Sequence, residues 1–269
     1  MFMEGIEQNP VVYDLQFELL TTAQAIDLDK WLDKYILRRY GKFDKTLRKA
    51  WEILLETCYR SDGYKENAVG SVVASRPQMI PTQAGPCCKN KLYYDTDKFE
   101  KAVELYLSVS EDFKESDGYQ YDLCDLTRQA MSNRFHKEQI KFAAAYKKKN
   151  ISAVEEIAKK QLSLLADMDT LLSHRKEFCF SRWINDCHNL ATDEKEKRYF
   201  DINARTLLTS WGDIRSTTWS LYDYAWREWS GLIKEYYYKR WKMFYNKVLY
   251  CLKKSRRPSG LRKTILLYN

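Results

Sequence analysis

Apolar residues recur three and four positions apart through most of this chain, and that spacing paints single faces of helices. The clearest case is Val154, Ile157, Ala158, Gln161, Leu165, Met168, Leu171 and Leu172, a stripe that predicts one long amphipathic helix. Shorter stripes of the same period occur at Trp31, Leu32, Tyr35 and Ile36, at Leu47, Trp51, Leu54 and Leu55, and at Phe99, Val103 and Leu107. Asp27 and Asp44 stand where N-caps belong, and Gly41 stands where the first of those helices should stop. Helical signal resumes from about Tyr119 to Leu252, with breaks near Asn150, His174 and Thr192 and between Trp211 and Leu221. Several long helices with short links predict an all-α, bundle-like domain over residues 21–252.

Two stretches depart from this rhythm. Residues 61–92 hold Gly63, Gly70, Gly85, Pro77, Pro81 and Pro86, which predicts a long surface loop; loops of that length in a compact domain tend to cover something functional. At the other end, Met1–Glu4 form a short apolar run leading into Gly5. Asn9-Pro10 then opens a helix carrying Val11, Val12, Leu15 and Leu19. A strand end, a loop and a helix within residues 1–20, with nothing before them, point to the remnant of a barrel whose earlier strands are missing.

Composition narrows the function classes. A chain of 269 residues with 45% hydrophobic and 30% charged residues is long enough for a full core. No apolar run approaches the length of a membrane span, and the opening residues do not read as a secretory signal. Seven cysteines show no CxxC pair, so they read as mostly reduced and buried. Cys179, Cys187 and His188 lack the second ligand pair of a zinc site, so no metal is expected. The net charge of +8 is concentrated at the C-terminus. Residues 234–269 hold eleven of the 45 Lys and Arg against one of the 37 acidic residues. A basic, Tyr- and Trp-rich end with a tail at 253–269 keeps nucleic-acid binding open as a rival class, but a solvated helix face is the plainer reading. His136 and His174, isolated among charged residues, read as surface positions. Asn150-Ile151-Ser152 is a glycosylation sequon, of consequence in a secretory compartment.

Ordered short motifs carry a more specific signal. Met3-Glu4-Gly5-Ile6 and Gln8-Asn9-Pro10-Val11-Val12-Tyr13 are followed by Arg38-Arg39-Tyr40-Gly41, Arg76-Pro77, and Tyr121-Asp122-Leu123 running to Asp125-Leu126-Thr127-Arg128-Gln129. Ser210-Trp211-Gly212, Asp223-Tyr224-Ala225, Ser230-Gly231-Leu232 and Arg240-Trp241 complete the series. In this order they resemble the C-terminal part of the α-N-acetylglucosaminidases, glycoside hydrolase family eighty-nine.

The resemblance implies a retaining glycosidase that removes terminal α-linked N-acetylglucosamine, with two carboxyl groups about 5–5.5 Å apart flanking the bond. Glu4 matches the nucleophile, at the rim of a (β/α)8 barrel. The acid/base glutamate belongs to an earlier barrel strand, so the chain is expected to be inactive alone and to need the missing N-terminal barrel portion. Tyr13, Trp211, Leu221 and Tyr224 match residues lining the sugar pocket. Aromatic faces stack on a pyranose and Leu walls off the acetamido methyl. No cofactor is implied, the ligand is a glycan ending in N-acetylglucosamine, and family members are secreted, periplasmic or lysosomal. Three departures stand out. The 61–92 loop lacks the histidine some members present to the sugar, leaving Glu66 or Asn67 as the nearest polar candidates. The stretch from Trp211 to Leu221 is longer than in some members, and Lys239 stands where some members carry a proline. The alternative from another class is a non-catalytic helical carbohydrate-binding or interaction module.

Overall fold

The computed structural model describes residues 9–60, 71–79, 92–211 and 225–254. They divide between two compact units, residues 1–62 with 93–130 and residues 63–92 with 131–269. Among the described residues every long element is helical, in agreement with the predicted all-α class. The paired extended residues are the isolated parallel bridge of Cys179 with Ser230. Of the predicted barrel remnant at 1–20, residues 1–8 lie outside the described residues and the rest falls on the start of the helical unit.

In the first unit α1 (Pro10–Thr21), α2 (Leu28–Tyr40), α3 (Lys45–Glu56) and α4 (Thr96–Ser108) precede the start of α5 (Asp117–Lys147). The predicted caps form. Asp27 accepts from the Lys30 amide at 3.2 Å, and Asp44 from the amides of Thr46 at 2.7 Å and Leu47 at 2.9 Å, satisfying donors the helix cannot. Helix α2 ends at Gly41, as expected. The stripes then meet. Trp31, Leu32, Tyr35 and Ile36 of α2, Leu47, Trp51 and Leu54 of α3, and Phe99, Val103 and Tyr106 of α4 share one core, where each large side chain contributes about 1.5–3 kcal/mol by leaving water. Helix α1 departs from its predicted stripe. Val11 is buried, but Val12, Phe17, Leu19 and Leu20 stay exposed, because the rest of the unit covers only the flank of α1 that carries Val11 and Leu15.

The second unit holds the remainder of α5, then α6 (Ile151–Ser173), α7 (Phe180–Asn189), α8 (Glu194–Leu208) and, after a π-helical turn at Ile233–Tyr237, α9 (Tyr238–Lys253). Val154, Leu165, Met168 and Leu172 of α6 are buried as their spacing predicts, with Phe135 and Phe142 of α5 and Trp241, Phe244 and Tyr245 of α9. The ring centroids of Phe135 and Trp241 lie 5.0 Å apart, edge to face, the arrangement aromatic quadrupoles prefer.

Residues 71–79 correct the expectation of a surface loop. Val72, Val73, Ala74 and Ser75 are buried. A buried, irregular backbone needs partners for its carbonyls, and later helices supply them. The Trp241 indole donates to the Val73 carbonyl at 2.9 Å, Arg240 to those of Ala74 at 2.8 Å and Ser75 at 3.1 Å, and Gln139 to that of Gln78 at 2.7 Å. The middle of the predicted loop is therefore a fixed strap. His136 is also corrected. It is half-buried, and burial lowers its pKa from the ordinary histidine value. His174 is exposed as predicted.

Candidate functional site

In the second unit, two tryptophans, Trp211 and Trp226, stand in unusual backbone conformations. Helix α8 ends at Leu208, and Trp211 closes the turn after it, its amide donating to the Thr206 carbonyl at 2.7 Å with φ of 68°. Trp226 has φ of 52°. A side chain with a Cβ in this region costs about 1–2 kcal/mol, and such strain concentrates where a side chain must point in a set direction. Both tryptophans are half-buried.

The segment after Trp226 is held from three sides. Glu228, 1% exposed, accepts from the Ser132 hydroxyl of α5 at 2.8 Å and from the Ser71 hydroxyl of the strap. A buried carboxylate without such donors would be strongly unfavourable. Two backbone bonds tie Ser230 to the α6–α7 connection, Phe180 N to Ser230 O at 3.0 Å and Ser230 N to Phe178 O at 2.8 Å. Asp169 of α6 then caps the last helical segment across the fold, accepting from the amides of Gly231 at 2.7 Å and Lys234 at 3.0 Å. Gly231 has φ of 86°, which a side chain would strain. Replacing Asp169 by Ala should destabilise this unit by about 2 kcal/mol, the upper range for a lost cap. Urea denaturation followed by tryptophan fluorescence checks it, with Asp169→Asn expected to lose less.

Aromatic rings line the same region. The rings of Trp183 and Trp229 are 6.5 Å apart, the Trp183 indole donates to the Ala204 carbonyl at 3.1 Å, and the Arg227 guanidinium lies 5.8 Å above the Trp229 ring. These contacts couple α7, α8 and the Trp226–Ser230 segment. What the described residues offer here is aromatic surface held by hydrogen bonds from α5, α6 and α8. Sequence reasoning missed Glu228, Asp169, Ser71 and Ser132, whose partners lie far away along the chain.

The other predicted site residues stand as follows. Tyr13 is half-buried on α1 in the first unit, and its neighbour Asp14 pairs with Arg38 at 2.6 Å. Trp211 belongs to the second unit. Glu4, Leu221, Tyr224, Glu66 and Asn67 lie outside the described residues. Among the described residues no group of three His, Cys, Asp or Glu is placed to hold a metal ion. His188 Nε2 lies 2.9 Å from Asp201 and the Cys179 thiol rests on the Arg175 carbonyl at 3.3 Å. Burial pushes the Cys58 thiol up to about 12, far from a reactive thiolate. No helix of the described residues is long and apolar enough to cross a membrane. On α9, Lys239 pairs with Glu235 and Lys253 with Glu155, each at 2.5 Å, so part of the basic C-terminal charge is met within the unit.

The family model described as Alpha-N-acetylglucosaminidase (NAGLU) C-terminal domain matches residues 31–265. The chain belongs to this α-N-acetylglucosaminidase C-terminal domain family. It is similar to the α-N-acetylglucosaminidase of Homo sapiens, 29% identical over 249 residues, covering 91% of this chain and 32% of that protein. It is also similar to a structure of a family 89 glycoside hydrolase from Clostridium perfringens in complex with PUGNAc, at 32% identity and a TM-score of 0.89, covering 96% of this chain and 30% of the other. A doubly Glu→Gln form of the Clostridium perfringens enzyme, in complex with its substrate GlcNAc-α-1,4-galactose, matches at 34% identity and a TM-score of 0.87, covering 91% of this chain and 28% of that one. The chain thus spans about a third of the length of these relatives.

Within this α-N-acetylglucosaminidase C-terminal domain, several motifs that carried the resemblance meet each other in space. In the first unit Arg39 donates to Asp122 from Nε and Nη2, both at 2.6 Å, and the Tyr40 hydroxyl donates to the same carboxylate at 2.7 Å. Burial raises the Asp122 carboxyl, and the guanidinium and phenol oppose that rise. Arg128 closes on Asp125 at 2.8 Å. In the second unit Arg240-Trp241 grips the strap that includes Arg76-Pro77. Each of these motifs builds scaffold within its own unit.

Proposed function

We propose that this chain is the C-terminal part of a retaining glycosidase that hydrolyses terminal α-linked N-acetylglucosamine from glycans. It supplies the nucleophile Glu4 and, through Tyr13, Trp211, Leu221 and Tyr224, part of the sugar pocket. The single observation that carries this reading is the likeness, at a TM-score of 0.87 and 34% identity, to an enzyme holding GlcNAc-α-1,4-galactose.

Glu4 attacks the anomeric carbon and forms a glycosyl ester while an acid outside this chain protonates the leaving oxygen. Water then releases the sugar with retention, the same acid now acting as base. Neither step requires a metal or an organic cofactor. The left-handed Trp211 and Trp226, and the anchoring of residues 228–231 by Ser71, Ser132 and Asp169, support a pocket wall that does not yield when sugar binds. The exposed Phe17, Leu19 and Leu20 of α1 support a further body of protein packed there, since exposed clusters of large apolar side chains mark interfaces.

The test is hydrolysis of an aryl α-N-acetylglucosaminide by the chain alone and by a hybrid in which it replaces the matched part of the Clostridium perfringens enzyme. The expected result is background turnover by the chain alone and enzymatic turnover by the hybrid. Full-rate hydrolysis by the chain alone would overturn the division of the site. A folded hybrid that binds N-acetylglucosamine without cleaving it would favour the non-catalytic carbohydrate-binding reading.

A further inference from the structure

We propose that Asn150 is a site of N-linked glycosylation, taking an oligosaccharide from a polyprenyl-diphosphate donor. Asn150-Ile151-Ser152 is the one Asn-X-Ser/Thr sequence with X other than Pro in the chain. The fold places it at the tip between α5 and α6. Helix α5 ends in a left-handed turn at Lys149, with φ of 53°, closed by the Lys149 amide on the Tyr146 carbonyl at 2.9 Å and the Asn150 amide on the Ala145 carbonyl at 3.1 Å. Lys147, Lys148, Lys149, Asn150 and Ser152 are all exposed.

The side-chain geometry suits the modification. Asn150 caps α6, its Oδ1 accepting from the Ala153 amide at 3.1 Å. Oδ1 thus faces the helix, and Nδ2 occupies the other corner of the planar amide. In the transfer, Nδ2 forms a bond to C1 of the first sugar, the C1–oxygen bond to the diphosphate breaks, Nδ2 loses one proton, and the polyprenyl diphosphate leaves. A secondary amide retains its carbonyl oxygen, so the cap that starts α6 survives the glycan. An exposed tip requires no rearrangement to accommodate the product.

The experiment translates the full 269-residue chain, preceded by a cleavable secretion leader, in a cell-free lysate containing microsomes. The result expected is that the protease-protected chain migrates one glycan heavier and that a peptide-N-glycosidase removes the difference. Both Asn150→Gln and Ser152→Ala should abolish the increment, and Ser152→Thr should keep it. Ser152→Ala leaves the Asn150 cap in place, so its effect cannot come from an unravelled α6. A protected chain of unmodified mobility, or an increment that survives Asn150→Gln and Ser152→Ala, would overturn the proposal.

Discussion

Replacing Asp122 by Ala should cost the first unit about 3–5 kcal/mol, the usual penalty for stranding one partner of a buried ion pair. The carboxylate is 6% exposed at its side chain and Arg39 21%, so solvent does little to rescue the guanidinium left behind. The loss reaches further than one pair. The Tyr40 hydroxyl, which donates to Asp122, also lies 2.8 Å from the Tyr106 hydroxyl and accepts from the Trp51 indole at 3.1 Å. Deleting the carboxylate therefore loosens a chain of hydrogen bonds through α2, α3, α4 and α5 in which each member polarises the next. The backbone beside it is equally tight, since a Cβ at Gly118 would stand 2.5 Å from the Arg39 carbonyl. Asp122→Asn, which keeps the shape and loses the charge, should cost less than Asp122→Ala. Tyr40→Phe should cost about 1 kcal/mol. Urea unfolding curves of the three variants check this order, and an Asp122→Ala loss under about 1 kcal/mol would show that the pair is well solvated.

The local devices were legible in the sequence because each is written within a few residues. The caps at Asp27 and Asp44, the stop at Gly41 and the stripe of α6 need no knowledge of distant chain, and all appear in the structure. The α1 stripe failed for the same reason in reverse. Val12 and Leu19 carry the right period, but what covers a face is settled by tertiary packing and not by the face itself. The strap at 71–79 shows the limit most clearly. Glycine and proline forecast a loop at the surface, and only side chains from α5 and α9, some 60 to 170 residues later, make its burial possible by satisfying its carbonyls.

The candidate site divides along the same line. Trp211 was recognisable through the ordered motifs it shares with the family, whereas its left-handed backbone was not. Glu228 and Asp169 were invisible among 37 acidic residues, because a buried carboxylate is distinguished by its donors and Ser71 lies 157 positions from Glu228. The motifs Arg39-Tyr40, Asp122 and Arg240-Trp241 read as marks of an enzyme family, but in the structure they act as scaffold. Resemblance thus identifies what kind of protein this is, and the hydrogen-bond network explains why those residues are needed.

The largest effect on activity is expected from Glu4→Gln. A glutamine has nearly the shape of the glutamate but no charge to attack the anomeric carbon, so the glycosyl ester cannot form. The packing of α1–α9 should be untouched, which separates loss of chemistry from loss of fold. The decisive measurement is kcat for an aryl α-N-acetylglucosaminide in the hybrid enzyme carrying Glu4 or Gln at that position, with circular dichroism confirming equal helicity. The account predicts a fall on the order of 10⁴-fold or more, the scale seen when a nucleophile is removed. Equal turnover by the two hybrids would contradict it.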